Sequence, residues 1–504
     1  MSAWLHTIAD AAPAGHPAVV DHDGAIYSYD DLRGGAAALA ERLQDRGVRP
    51  GDRVMLVCEN CAAFAAAVLA VVRLGAWVLP VNARHSAGKI AALAAHSGAR
   101  LTLFTPGASP EAAAHAARLD AAQLADDLGP LVATACADTA PEPVADTPQN
   151  RIAAVLYTTG TTSAPKGVML THANLIWNAE TSARLRGMAP DDTVLGVLPG
   201  SHIFGFSSTM LAALCAGSTL RFLPRFAPET VVRALAEGAS VLPAVPQMYA
   251  RILSHLDRTG AALQAPRLRY ISAGGAPLDP DLKARTEAVF GLTLNNGYGI
   301  TECAPGVAAT RPAEPRGDVS VGTAMEDVTL TVDAPDAEGV GEILIRSPGV
   351  MAGYYRDPQA TAAALPESGL FRSGDLGRID PDGTVHLLGR KKELIIRSGF
   401  NVHPPEIEAM LTRHPDVLQA AVVGRHRDGN EDILAFVMVR GGLTEAALSD
   451  WLAPRLVGYK RPQRIVVVDA FPTAPTGKIL KHKLTRQFAD ALGSHTAAEG
   501  SPAV

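Results

Sequence analysis

Residues 156–172 read LYTTGTTSAPKGVMLTH. Eight of these seventeen residues are Thr, Gly or Ser, and they lie between an apolar entry and the apolar exit Val168-Met169-Leu170. Glycine lets backbone N–H groups turn inward and threonine hydroxyls add donors, so a loop of this composition can wrap phosphate oxygens. Lys166 then supplies a movable positive charge. The spacing is not that of G-x-x-x-x-G-K-[ST], because Pro165 precedes the lysine and Gly167 follows it. Taken alone, a Thr-rich solvated hairpin explains the stretch as well as a phosphate cradle does.

The rest of the chain narrows the choice. At 504 residues it is too long for one compact core, so at least two domains are expected. Hydrophobic residues make up 47% and charged residues 19%, an ordinary globular balance. A net charge of -6 argues against nucleic acid or an anionic membrane as the main partner. The N-terminus lacks the basic segment of a signal peptide, and the apolar run CAAFAAAVLAVV at 61–72 is too short to span a bilayer and reads as a buried helix. Five cysteines do not form a disulfide framework, which fits a reducing cytoplasm. Cys58 and Cys61 make a C-x-x-C, but no second pair completes a zinc site, so core packing is the expectation.

Short apolar runs at 53–57, 77–82 and 100–105 alternate with Ala-rich helical stretches, the pattern of an α/β layered fold. Residues 136–150, CADTAPEPVADTPQN, read as a surface linker. Further strands are predicted at 193–198, 240–246, 268–275 and 292–299; the last two end in Gly-containing loops, where ligands sit in α/β sheets. From 341 the texture changes, and GEILIRS and GTVHLLGR alternate like strands of a smaller β unit. Beyond GRKKELIIRSG a helix–strand–strand–helix–strand–helix pattern, its last helix KILKHKLTRQFADAL, predicts a separate α+β domain of about a hundred residues. The tail at 493–504 has a disordered composition.

The opening stretch is followed, in order, by LPGSHIFGF, SAGGAPL, NNGYGITE, GEILIRSPGVMAGYYRDPQAT, FRSGDLGRIDPDG, GRKKELIIRSGFNVHPPEIE and PTAPTGKIL. This series resembles the signatures of the adenylate-forming superfamily, over roughly residues 24–487, and is most similar to free-standing acyl- or aryl-acid:CoA ligases. The resemblance implies a large N-terminal domain of layered sheets and helices with a β subdomain, 1–391, and a small mobile C-terminal domain, 392–504. It implies a reaction in two halves: a carboxylate attacks the α-phosphate of Mg-ATP to give an acyl-adenylate and pyrophosphate, then the CoA thiol displaces AMP. The first half is positioning plus electrostatics around an in-line displacement.

Residue by residue, the resemblance assigns Thr158, Thr159, Gly160, Thr161, Thr162 and Lys166 to the β- and γ-phosphates, with Thr161 and Glu302 toward Mg²⁺, a cation that wants oxygen ligands. Thr301 falls to the α-phosphate. Gly274, Gly275 and Ala276 make one wall of the adenine pocket, and Asn296, Gly297 and Tyr298 its edge and face; a plain turn explains the Gly-Gly pair too. Asp375 accepts the ribose hydroxyls with Arg390 as its basic companion, Lys392 is the pivot, and Lys478 is the catalytic lysine. Ser398 and Gly399 line the pantetheine tunnel. Lys460, Arg461, Lys481 and Lys483 face either CoA phosphates or solvent. His202, with Phe204, belongs to the mouth of the acyl pocket, or else is a buried structural histidine. The small apolar residues after His202 and after Glu302 suggest a hydrophobic monocarboxylic acid, with no fixed cation for a second carboxylate.

Three positions depart from the usual pattern. Ser163 stands where a glycine is usual, which adds a cost of order 1 kcal/mol to any positive-φ backbone there. Ser201 replaces an aromatic, and Glu393 an aspartate. The reading is an ATP-dependent acyl-CoA ligase using Mg²⁺, ATP and CoA. Its rivals are an enzyme that mainly accepts ready-made acyl-adenylate, one that loads a carrier protein, and a nucleotide-binding module without chemistry. The intact Lys478, Glu302 and Asp375 count against the last. A homodimer stays open.

Overall fold

The computed structural model describes residues 4–13, 15–158, 166–398, 400–427, 430–473 and 479–493. The chain forms two compact units: residues 1–331, 344–373 and 381–385, and residues 332–343, 374–380 and 386–504. The expected boundary at 391/392 therefore falls inside the second unit.

The first unit is built on two sheets. One has eight strands, among them Arg53–Cys58, Trp77–Asn82, Leu101–Phe104, Ile152–Thr158 and Lys166–Thr171. The other has nine, including Thr193–Gly196, Val241–Ala244, Tyr270–Gly274 and Leu294–Gly299, which run parallel, and Gly306–Ala309, which turns back antiparallel. All six residues of Arg53–Cys58 and all six of Trp77–Asn82 are buried. Parallel strands need both faces covered, and these apolar runs can be covered because neither face must meet water. The helix Ala62–Arg73 is buried from Ala62 to Val72, as its unbroken apolar run requires. Cys58 and Cys61, at its entrance, are free and buried, and burial pushes the Cys61 thiol up to about 12. They are core residues.

Polar side chains stitch the two sheets together. Asp21, just after a strand of the nine-stranded sheet, accepts the Ala62 N–H at the start of the buried helix at 3.0 Å. Asn60, after a strand of the eight-stranded sheet, donates to the carbonyls of Gly196 and Leu198 at 2.9 and 2.8 Å and accepts from Gly200 N at 2.7 Å. The 136–150 segment is less loose than its composition suggested: it is irregular and largely exposed, but Glu142 N pairs with Gly51 O at 2.9 Å. Arg53, 1% exposed, closes that seam by donating to the carbonyls of Ser97, Gly51, Ala140 and Gly98 at 2.9–3.0 Å.

In the second unit Val417–Arg427 and Asn430–Val439 pair antiparallel, with Arg464–Val467 parallel beside them. Alternation decides the packing: Ile433, Ala435 and Val437 face the helices Pro404–Thr412 and Glu445–Leu452 through Ile407, Leu411, Leu448 and Leu452. Leu434 and Phe436 face the opposite way, with Leu484 and Phe488. One prediction fails here. The stretch expected as a single helix from Lys478 breaks into a 3-10 turn, Lys481–Lys483, and two short helices, Leu484–Gln487 and Ala489–Gly493. Its first residues are held elsewhere: Ile479 bridges Thr473, and Leu480 N donates to Pro472 O at 2.7 Å.

Replacing Arg53 by Met should remove four hydrogen bonds and destabilise the first unit by about 2–4 kcal/mol; Gly51 O keeps Glu142 N and Ser97 O keeps the Tyr355 phenol, so the larger loss falls on Gly98 O and Ala140 O. Denaturant unfolding monitored by fluorescence checks this; a shift under 1 kcal/mol would mean that water replaces the guanidinium at no cost.

Candidate active site

The hairpin predicted from the opening stretch is present. Ile152–Thr158 and Lys166–Thr171 pair antiparallel, and Thr158 opposite Lys166 is the last pair before the loop. Thr159, Gly160, Thr161, Thr162 and Ser163 lie outside the described residues. The Lys166 ammonium sits 4.6 Å from the centre of the Tyr354 ring.

Tyr354 belongs to a segment that sequence reasoning had quoted but given no role. Gly353 and Tyr354 pair with Met169 and Val168 at the edge of the eight-stranded sheet. Ala352 N and Tyr355 N donate to Met169 O and Gly167 O at 2.9 and 2.7 Å. The Tyr354 phenol donates to Glu302 Oε1 at 2.8 Å, and Met351 N donates to Glu302 O at 2.8 Å. Glu302 itself sits in the 3-10 turn Thr301–Cys303, directly after the Leu294–Gly299 strand of the other sheet. Asn174 holds the near end of the segment, donating to Pro348 O and Val350 O at 2.7 and 3.1 Å while it closes a capping box with Thr171. Lys166, Tyr354 and Glu302 are thus brought together, with Thr301 beside Glu302.

The two glycine-rich strand ends also meet. A Cβ on Gly274 would come 3.2 Å from Phe204 Cε1 and 3.4 Å from Gly297 O, so the Phe204 ring rests against a wall that only glycine leaves open. Gly275 follows at φ +78°, a turn conformation that glycine adopts freely, with Ala276 half-buried after it. Tyr298 is buried. Asn296 is buried too, but its carboxamide donates to Val319 O and Ser320 O at 2.9 and 3.2 Å and accepts from Gly297 N at 3.1 Å. Its backbone is engaged as well: Asn296 N donates to Thr310 Oγ1 at 2.8 Å and its carbonyl accepts from Thr310 N at 2.9 Å.

His202 is exposed, which removes the buried structural alternative; its Nδ1 accepts from Phe204 N at 3.4 Å. Phe204 opens a π-helix, Phe204–Leu211, a wide turn that recurs at functional sites. Asn178, unforeseen from sequence, donates to Ser207 Oγ and Ser208 Oγ at 2.7 and 3.1 Å and accepts from Gly306 N at 3.0 Å. It ties the π-helix to the strand that follows Glu302. Behind it the buried Arg186 donates to Ser208 O.

The second unit carries the remaining expected residues. Asp375 is 5% exposed, and Arg390 Nε lies 2.8 Å from its Oδ1, so the two are brought together. Glu342 braces them, accepting from Gly374 N at 3.1 Å and pairing with Lys391 at 3.0 Å. Lys392 is exposed in the 3-10 turn Lys391–Glu393. Ser398, at φ +50°, donates its N–H to Asn430 Oδ1 at 2.8 Å; Gly399 and Lys478 lie outside the described residues. Three of the four basic residues have protein partners. Lys460 pairs with Glu406 at 2.7 Å, Arg461 donates to Leu456 O and Ala453 O, and Lys481 is held by Glu408 at 2.7 Å and Glu393 at 3.4 Å. Lys483 is exposed.

Two family models match the chain. The AMP-binding enzyme family matches residues 5–355, and the AMP-binding enzyme C-terminal domain matches residues 406–478. The chain belongs to this family. A feruloyl-CoA synthase of Amycolatopsis sp is 35% identical over 94% of this chain and 96% of its own length. The 4-coumarate–CoA ligase 3 of Oryza sativa subsp. japonica is 31% identical over 97% and 92%. Among solved structures, ATP-bound MatB from Rhodopseudomonas palustris superposes with a TM-score of 0.85 at 30% identity, covering 97% of this chain and 100% of that one. O-succinylbenzoate coenzyme A synthetase from Bacillus subtilis, in complex with ATP and magnesium ion, gives 0.81 at 26%, covering 96% and 99%. The family member described here is therefore an AMP-forming acid–thiol ligase: it activates a carboxylic acid with ATP and passes the acyl group to CoA. No helix among the described residues is long and apolar enough to cross a membrane.

Lys481 gives a pH-dependent prediction. Burial pulls its ammonium's pKa down, but the charges and hydrogen bonds of Glu408 and Glu393 outweigh burial and leave it raised. A lysine raised on folding contributes stability that is complete below the ordinary lysine value, about 10.4, and is lost as pH climbs through the folded one. Lys481→Met should destabilise the second unit by about 2–4 kcal/mol at neutral pH, because two carboxylates lose their cation. Unfolding followed at several pH values should show the gap to wild type constant from pH 7 to about 10 and shrinking above that.

Proposed function

We propose that the acid is a flat hydrophobic monocarboxylate of the hydroxycinnamate class. The observation that supports it is the Phe204 ring lying on the bare backbone of Gly274, a flat apolar wall beside the exposed His202. The neighbouring Ser207, Ser208 and Gly306 are small and uncharged. Relatives named for feruloyl-CoA and 4-coumarate support the choice. CoA, rather than a carrier protein, is the acceptor those names support. Five free cysteines fit a reducing cytoplasm.

In this reading the acid enters past His202 and Phe204. Thr158, Thr159, Gly160, Thr161, Thr162 and Lys166 grip the β- and γ-phosphates, Thr301 the α-phosphate. The purine lies between Gly274–Ala276 and Asn296–Tyr298, and Asp375, aligned by Arg390, takes the ribose hydroxyls. The Glu302 carboxylate is the hard-oxygen donor that Mg²⁺ prefers: its Oε1 is turned toward the Tyr354 phenol, which leaves Oε2 and Thr161 for the cation. A bound Mg²⁺ there would neutralise phosphate charge. A carboxylate oxygen of the acid forms a bond to the α-phosphorus as the bond to pyrophosphate breaks, and Lys478 stabilises the charge that builds there. Residues 392–504 then turn about Lys392, so that Ser398 and Gly399 line the path of the pantetheine arm. The thiolate sulfur bonds to the acyl carbon, and AMP leaves with the electron pair of the broken C–O bond.

Two experiments test this. A panel of acids with ATP, Mg²⁺ and CoA, read by AMP release, should favour hydroxycinnamates over dicarboxylates by at least about tenfold in kcat/KM, and Gly274→Val should abolish that preference by pushing its side chain into the Phe204 ring. A dicarboxylate as best substrate would overturn the assignment. Lys478→Ala should slow adenylation by about 10² or more while supplied acyl-adenylate still becomes acyl-CoA. Equal loss in both halves would refute that division of labour.

A further inference from the structure

We infer that Tyr354 is a positioning residue for the first half-reaction, orienting the metal-holding carboxylate with its hydroxyl and the phosphate-binding lysine with its ring. The inference rests on the reading of Glu302 as the Mg²⁺ carboxylate and of Lys166 as a phosphate ligand.

Glu302 and Lys166 come from different sheets, so backbone hydrogen bonding within either sheet does not set the distance between them. Tyr354 touches both: its phenol is 2.8 Å from Glu302 Oε1 and its ring centre 4.6 Å from Lys166 Nζ. Its own backbone has little freedom. It pairs with Val168, and its N–H donates to Thr361 Oγ1 at 2.9 Å. A Cβ on Gly353 would press on Thr361 at 2.9 Å, so the turn into Tyr354 is closely packed as well. The next residue, Tyr355, is anchored by its phenol on Glu142 at 2.5 Å. A 7% exposed tyrosine held in this way presents its hydroxyl at a fixed point. One carboxylate oxygen is then held by the phenol, and the other is the one a cation would use. Partners of metal-binding carboxylates typically change metal affinity by tenfold or more when removed. The ring face, meanwhile, attracts an ammonium by its quadrupole and keeps Lys166 from collapsing onto the Glu302 carboxylate.

The test separates the two contacts. Tyr354→Phe keeps the ring and removes the hydroxyl. The Mg²⁺ concentration for half-maximal adenylation should rise about tenfold. Binding of Mg²⁺-free ATP, measured by equilibrium titration, should stay within about twofold, as should thioester formation from supplied acyl-adenylate. Tyr354→Leu removes the ring too: Mg²⁺-free ATP should now bind about fivefold more weakly, and Lys166→Met added to it should cost nothing further. A folded Tyr354→Phe enzyme with wild-type Mg²⁺ dependence overturns the role of the hydroxyl, and additive losses in the double variant overturn that of the ring. Glu302→Gln guards the underlying reading. If it leaves Mg²⁺ dependence unchanged, Glu302 is not the metal carboxylate and the reading fails whatever Tyr354 does; if it shifts the dependence while Tyr354→Phe does not, only the positioning role falls.

Discussion

A buried carboxamide, that of Asn60, joins the two sheets of the first unit where the site is built. Each sheet is internally fixed by its ladder, but a ladder says nothing about where a second sheet stands. Asn60 reaches from the end of Arg53–Cys58 to the carbonyls of Gly196 and Leu198 and the N–H of Gly200. Gly196 O also accepts from Leu223 N at 3.1 Å, whereas Leu198 O lies beyond the strand end, and leaving it bare in the core would cost about 1–3 kcal/mol. The amide meets that need and fixes the turn that leads to His202 and Phe204. Apolar packing alone tolerates small slides; three directional hydrogen bonds do not.

The same solution recurs along the seam. Asn178 joins the π-helix to the strand after Glu302, Asn174 joins a helix start to the 348–350 turn, and Tyr354 joins the 152–171 hairpin to Glu302. Each uses a neutral side chain with two or more hydrogen-bonding positions, or a ring and a hydroxyl. Charged ties would have carried a far larger desolvation cost in the same places. Charged ties do occur, in the buried Asp21 and Arg186, but those of Asn178, Asn174 and Tyr354 are neutral.

Local patterns made the strands and the hairpin readable. Runs such as Arg53–Cys58 and Trp77–Asn82 announce themselves by apolar continuity. Site residues inside ordered motifs, such as Glu302, Asp375 and Arg390, were legible for a different reason: the resemblance named them, and the structure places Arg390 on Asp375. Asn60, Asn178 and Tyr354 were not legible, because each acts on a residue more than twenty-five positions away and nothing nearby in sequence marks it. The helix expected from Lys478 failed for a related cause. Its apolar spacing was helical, but Lys481 is drawn to Glu408 and Glu393, and that pair outweighs one turn of helix propensity. Likewise Lys460 and Arg461 read as solvated charges until their partners, Glu406 and two helix-end carbonyls, are seen.

In the reading proposed for the acid, the π-helix after Phe204 makes selectivity depend on groups that never meet the substrate. A π turn is wider than an α turn and is uncommon because its own hydrogen bonds do not favour it. Here it is supported from behind: Asn178 donates to the hydroxyls of Ser207 and Ser208, and Arg186 donates to the carbonyl of Ser208. Relaxation to an α turn would shift the register of every residue from Phe204 onward by about 100° of rotation. Phe204 would then leave the wall of Gly274. The glycine and the π turn are therefore one device in two parts, since the missing Cβ gives the ring a place to lie and the wide turn delivers the ring to that place.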